Sequence, residues 1–205
     1  ANAAWTLRNS PYFYNGSGTP DPTFTSNDAS QFILTNSDAQ GSGNTATILR
    51  SPSFSTLNLV SADITFHHVF RQQTNGADRG YVELSTNGST WTTVQTYTAT
   101  AGTAASFASA TIPVPAGFIG QPTVYVRFRY TAPWGWYWAI DNVSVTGPAV
   151  LNYAWTSTPA GFTSNVQQPV GVPVDQNTTF ILTVTAPGGC SGTATVAVGH
   201  VPAPQ

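Results

Sequence analysis

Side chains able to carry out chemistry are sparse in this 205-residue chain, which holds eight acids, six arginines, no lysine, three histidines and one cysteine. Hydrolysis of a glycosidic bond needs two carboxylates about 5–9.5 Å apart, one to protonate the leaving group and one to attack or to activate water. Glu83 is the sole glutamate, and it stands between Val82 and Leu84 in a strand-like run, where alternation predicts the solvent side. Asp63, Asp78, Asp141 and Asp175 are dispersed, several of them at strand ends or turns. No G-x-S-x-G spacing presents a serine nucleophile. His67 and His68 are adjacent, so on a strand they point to opposite faces and do not share a metal ion; His200 lies far along the chain. Cys190 is alone, which rules out an intrachain disulfide, and no histidine beside it activates the thiol. No catalytic residue is assigned, and the chain reads as a non-enzyme.

Binding chemistry is better supplied. The run Trp134-Gly-Trp-Tyr-Trp138 follows Pro133 and leads into a strand, so part of it is expected in a loop at one edge of a sheet. Alternation into the strand sends Trp136 and Trp138 to one face and Tyr137 to the other. In the preceding run 124–130, Val124, Val126, Phe128 and Tyr130 share one face, while Tyr125, Arg127 and Arg129 share the outward one. Sugar rings stack on aromatic faces, and arginine donates hydrogen bonds to their oxygens, so Trp134, Trp136, Tyr137, Arg127 and Arg129 form a candidate glycan platform. Tyr12, Phe13 and Tyr14 are a second aromatic cluster. The competing reading of all these aromatics is core packing.

The elements that must position them are strands. No useful helix-period stretch exists, and apolar residues alternate with Thr, Ser or Arg in the runs 48–50, 64–69, 81–85, 92–98, 108–114, 124–130 and 138–146. Asn87-Gly88, Ala101-Gly102 and the 115–117 turn punctuate them. Many short strands separated by turns predict an antiparallel jelly-roll β-sandwich. A boundary near Gly147-Pro148 divides it, over residues 1–147, from a short immunoglobulin-like β segment over 148–205, with runs at 153–155, 179–185 and 193–198. Charged residues are only 7% of the chain and the net charge is −2. No basic stripe awaits nucleic acid, and no Lys/Arg-rich amphipathic helix or apolar run near ~18 residues awaits a membrane. Methionine is absent and no signal-peptide pattern appears, so the chain reads as mature protein or as a piece of a longer one.

In order, ILRSPSF at 48–54, ITFHH at 64–68, YVELSTNGSTW at 81–91, VRFRY at 126–130 and WAIDNV at 138–143 resemble the MAM-like jelly-roll modules known as choice-of-anchor J or cleaved-adhesin domains, which occur in large secreted proteins of the Bacteroidetes. The tail resembles the immunoglobulin-like repeats that follow such modules, without their opening strands. The resemblance implies a non-enzymatic module, often stabilised by calcium, attached to proteases, glycosidases or adhesins. It also implies the ligands. Asp141 matches the family's final-strand aspartate, and Asp28 and Asp38 lie on early loops that could converge on it to complete the oxygen shell that calcium requires. As turn-capping residues the same aspartates would have a purely local role.

Together these readings predict an extracellular, secreted or surface-attached bacterial binding module whose partner is a polysaccharide or a cell-surface protein, with salt-tolerant binding because charges are few. Two rivals stand beside it. One is a structural repeat of a surface protein or filament that self-associates through exposed strand edges; the other is an accessory domain of a secreted protease or polysaccharide-degrading enzyme.

Overall fold

The computed structural model describes residues 3–14, 23–74, 76–187 and 189–201. The chain divides into two compact units, Ala1–Pro148 and Ala149–Gln205. The strands of the first are β1 (Thr6–Arg8), β2 (Tyr12–Phe13), β3 (Thr23–Phe24), β4 (Phe32–Asn36), β5 (Asn44–Arg50), β6 (Asp63–Arg71), β7 (Arg79–Ser85), β8 (Thr92–Tyr97), β9 (Ala108–Pro113), β10 (Tyr125–Pro133) and β11 (Tyr137–Thr146). They form a five-stranded sheet of order β1-β4-β11-β6-β9, a four-stranded sheet of order β5-β10-β7-β8, and the small β2-β3 pair, all antiparallel. The path repeatedly crosses between the two larger sheets, from β4 to β5, β5 to β6, β6 to β7, β8 to β9, β9 to β10 and β10 to β11, while β7 and β8 are neighbours within one sheet. This crossing is the wrapping of a jelly roll.

The inner faces meet in a core built from alternate residues of both sheets: Ile64, Phe66, Phe70, Ile112, Trp138 and Ile140 from one, Val82, Leu84, Val126, Phe128 and Tyr130 from the other. Trp138 is fully buried at its centre, with the rings of Trp5, Phe70, Tyr97 and Phe128 all 5.7–5.9 Å away, tilted or edge-on. The indole lies directly on the β7 backbone at Gly80. A Cβ there would stand 2.9 Å from Trp138 and 3.1 Å from Phe70, so only glycine fits.

The five-stranded sheet is buried on its other face as well. Phe32, Leu34, Val69, Ala139 and Tyr137 pack there against Phe24, Ala104 and Phe107. Alternation alone does not reveal this, because a half-buried strand and a doubly covered one differ only in what the rest of the chain lays over them. Tyr137 is therefore a core residue, 0% exposed, and not part of a ligand platform. Strand β11 begins at Tyr137, so the alternation does not extend back to Trp136; that half-buried ring packs on the same cluster as Tyr137. Further along β11 the register against β6 shifts between Asp141 and Ser144, a bulge that holds Asn142 at φ 53°, a left-handed conformation asparagine tolerates.

The second unit holds β12 (Asn152–Thr158), β13 (Thr163–Ser164), β14 (Thr178–Thr185) and β15 (Ser191–Val198) in one antiparallel sheet of order β13-β12-β14-β15. An immunoglobulin-like domain packs two sheets face to face. Among the described residues this unit has one, and Phe180, against Phe162, is its buried apolar residue. Trp155 is half-buried, its indole N–H donating to the Val166 carbonyl at 3.1 Å. A segment this short buries too little apolar area to close a second layer of its own.

Candidate binding face

Outward-facing residues of the four-stranded sheet form the most heavily functionalised surface of the first unit. Cross-strand register fixes their arrangement. Arg127 on β10 stands between Arg50 on β5 and Glu83 on β7, and Arg129 stands between Ile48 and Tyr81. Glu83 receives Arg127 Nε at 2.6 Å and Arg129 Nη2 at 2.9 Å, with Arg129 Nε also donating at 3.1 Å and the Thr93 hydroxyl at 3.2 Å. The Glu83 side chain is 5% exposed, against 17% and 29% for the arginines. The expectation that Glu83 faces solvent needs this correction: it lies on the outer face, as alternation requires, but two guanidiniums cover it. Burial pushes its carboxyl pKa up, and the hydrogen bonds and charges of Arg129 and Arg127 outweigh that and hold it below the ordinary value. The same contact with Glu83 raises Arg129.

Aromatic rings hold the guanidiniums in place. Arg127 lies over Trp91 at 4.1 Å, Arg129 over Tyr81 at 3.8 Å and Arg50 over Tyr125 at 5.4 Å. Arg127 and Arg129 thus belong to one lattice. Its remaining members, Arg50, Tyr81, Glu83, Trp91 and Tyr125, were not among the predicted platform residues. Alternation along 81–85 already puts Tyr81 and Glu83 on one face; which arginines that face opposes is a matter of register, and no local pattern encodes it.

The aromatic run lies elsewhere. Trp134 is 47% exposed, in a loop at φ 61°, with its N–H bonded to the Gly43 carbonyl at 3.2 Å. The loop is pinned from below by Asp78, which is fully buried. Its Oδ2 accepts the Trp136 N–H at 3.1 Å, the Tyr130 hydroxyl at 3.2 Å and the Gln73 N–H at 3.3 Å. Gly135 sits so close to this carboxylate that a Cβ would collide with it. Of the predicted platform, then, Trp134 is exposed, Trp136 and Tyr137 pack, and the two arginines occupy the sheet face.

The predicted calcium ligands come together in part. The β11 bulge brings Asp141 to the loop before β4. There the Ser30 hydroxyl donates to Asp141 Oδ2 at 3.3 Å, the Ser30 N–H to Asp28 Oδ1 at 3.0 Å and the Asn142 amide to Asp28 Oδ2 at 2.9 Å. Asp28 is held below the usual carboxylate range by its Ser30 and Asn142 hydrogen bonds. Asp141 is pushed up by burial and by the charge of Asp28, two carboxylates competing for one place. Asp38 does not join them. It follows the far end of the five-residue strand β4, roughly 17 Å along at about 3.4 Å per residue, and there accepts the Tyr14 hydroxyl at 3.0 Å. Because β4 lies between them in the chain, Asp28 and Asp38 flank opposite ends of that strand. Among the described residues no three His, Cys, Asp or Glu side chains form a metal-holding group. Two carboxylates and a hydroxyl therefore fit a cation in part, and the third predicted ligand does not.

No family model matches the sequence, and no curated protein matches it. Among solved structures the chain is similar to a cleaved adhesin domain of Lys-gingipain from Porphyromonas gingivalis, at 18% identity and a TM-score of 0.51 over 72% of this chain and 85% of that one. A second cleaved adhesin domain of the same protein aligns with 70% of this chain and 91% of its own length, at 15% identity and a TM-score of 0.45. The first likeness is one of fold: this chain shares the all-β architecture of an adhesin domain.

Proposed function

We propose that this chain is a non-catalytic extracellular adhesion module of a bacterial protein, and that it binds a polysaccharide or a surface protein through the outer face of the β5-β10-β7-β8 sheet. The observation that carries the reading is the arginine–glutamate–aromatic lattice centred on Glu83. The chain's sole glutamate accepts from two guanidiniums and a hydroxyl, which suits scaffolding and leaves it unfit as a general acid or nucleophile. Around it, half-buried rings and guanidiniums offer a broad polar and aromatic surface of the kind that binding faces use. The fold shared with the first solved neighbour, a cleaved adhesin domain, supports this reading. Incubation with insoluble polysaccharides and a soluble glycan array tests it. Retention that is lost in Trp91→Ala at unchanged melting temperature is expected, and failure of every glycan to retain the chain sinks the polysaccharide version.

A structural calcium ion belongs to the same proposal, held by Asp28 and Asp141 and tying the loop before β4 to the last strand of the sandwich. A metal that binds only the folded state raises its stability by mass action. The melting temperature should therefore fall on adding EDTA in the parent and not in Asp141→Asn. Equal curves with and without EDTA in the parent remove calcium from the proposal.

One observation favours a second reading, self-association. Strand β15 forms an edge of its sheet, eight residues without a charge or proline and with seven of them exposed. Such an edge pairs readily with another chain. Monomers alone in size-exclusion chromatography at high concentration would dismiss it.

A further inference from the structure

The few charges of this chain are not spread evenly. The four strands of the β5-β10-β7-β8 sheet carry Arg50, Arg79, Arg127 and Arg129, four of the six arginines, and one acid, Glu83. Register places all four arginines on the outward face, since Arg50 opposes Arg127 and Arg79 opposes Thr131 of the same β10 row. This sheet is therefore at +3 in a chain of net −2, which leaves −5 for the remainder. Arg50 and Arg127 stand directly across from each other, a like-charge pairing that a sheet normally avoids. Glu83 neutralises only one charge of this cluster. Arg50 is exposed and, among the described residues, has no ion pair; Arg127 reaches Glu83 through Nε alone, leaving its terminal nitrogens for an outside acceptor.

The rings add a second constraint. Trp91 and Tyr81, the aromatic surfaces on which a neutral sugar would stack, each already carry a guanidinium over one face at 4.1 and 3.8 Å. Arg129 spends its Nε–Nη2 edge on Glu83, whereas Arg127 spends only its Nε and Arg50, among the described residues, makes no ion pair, so Arg127 and Arg50 keep N–H edges for the forked contact that carboxylate and sulfate oxygens accept. We infer that the ligand of this face is an acidic polysaccharide, one bearing uronate carboxylates or sulfate esters, recognised by charge complementarity across the arginine rows. The inference rests on the proposed binding role of the same face and narrows its ligand. It also reverses the salt tolerance expected from composition: the charges are few but gathered, and binding weakens as salt rises.

Retention of the full chain is measured on heparin (sulfate-bearing), on polygalacturonate (carboxylate-bearing) and on the neutral polymers mannan and xyloglucan, from 50 to 200 mM salt. Retention on one or both acidic polymers and not on the neutral ones is expected. With about three charge contacts, affinity should fall roughly 20- to 40-fold across that salt range. Arg50→Gln should weaken it several-fold and flatten the salt slope, and Arg50→Glu should abolish it. Arg71→Gln, on the five-stranded sheet, should bind as the parent does. Melting curves confirm that each variant is folded, and Arg50, exposed and without an ion pair among the described residues, is a position whose substitution the fold tolerates. Neutral polymers bound while acidic ones are not, or acidic binding indifferent to salt or to Arg50→Glu, overturns the acidic ligand and leaves a polysaccharide role standing. No polysaccharide bound at all defeats both.

Discussion

His68 makes the stability of the sandwich depend on pH in a calculable way. It is 2% exposed, with its ring centroid 4.5 Å from Tyr97, and its Nδ1 accepts the Trp138 indole N–H at 3.3 Å. Burial lowers its pKa from 6.5 to about 4, because the imidazolium would lose its hydration among aromatic rings. The folded state thus prefers the neutral ring, and below pH 6.5 the unfolded chain takes up the proton first. The contribution of His68 is fully present well above pH 6.5 and is lost as pH falls towards 4, where the loss amounts to about 3 kcal/mol, about half of it already incurred by pH 5.5. Urea unfolding followed by tryptophan fluorescence at pH 8, 6.5, 5.5 and 4 measures it. His68→Gln keeps an acceptor for Trp138 and cannot titrate. Asp28 and Glu83 titrate alike in both proteins, so the difference between the two stability curves isolates His68. Parent and variant should diverge by about 3 kcal/mol between pH 8 and 4. Parallel curves would refute the reasoning and mean that the ring is protonated at little cost in the fold.

Other substitutions probe the elements around the binding face. Glu83→Gln removes the one negative charge between two guanidiniums while keeping its shape. With all three side chains less than a third exposed, a loss of about 2–4 kcal/mol is expected in urea, short of the full cost of breaking a wholly buried pair; a change under about 0.5 kcal/mol would mean that the pair carries little energy. Gly80→Ala drives a methyl group against Trp138 and Phe70 and should cost about 1–3 kcal/mol, with near-ultraviolet circular dichroism reporting the displaced indole; an unchanged spectrum and midpoint would show that the core yields freely. Asn142→Val puts a β-branched side chain at a left-handed position and should cost about 1–2 kcal/mol in the same urea assay, against nearly nothing for Asn142→Gly.

Much of the fold was legible in the sequence, because a strand writes its two faces as a period of two. The inward row Val124, Val126, Phe128 and Tyr130 is buried in the core and the outward row Tyr125, Arg127 and Arg129 is half-buried, as alternation requires. Turn chemistry at Asn87-Gly88 is equally local, with Gly88 at φ 71° and the Asn87 side chain accepting the N–H groups of Ser89 and Thr90. Those features depend on neighbours a few residues away, and composition adds that charges are rare. Everything that turns on which strands lie side by side was beyond such a reading. The pairing of β10 between β5 and β7 converts scattered arginines into one cationic face and buries Glu83 beneath them; the layer over the second face of the five-stranded sheet converts Tyr137 from a platform ring into core; and the bulge in β11 brings Asp141 to the Asp28 end of β4 and not to the Asp38 end. Register and layering are long-range choices, settled by which arrangement removes the most apolar surface from water across the whole chain, and no window of residues records their outcome.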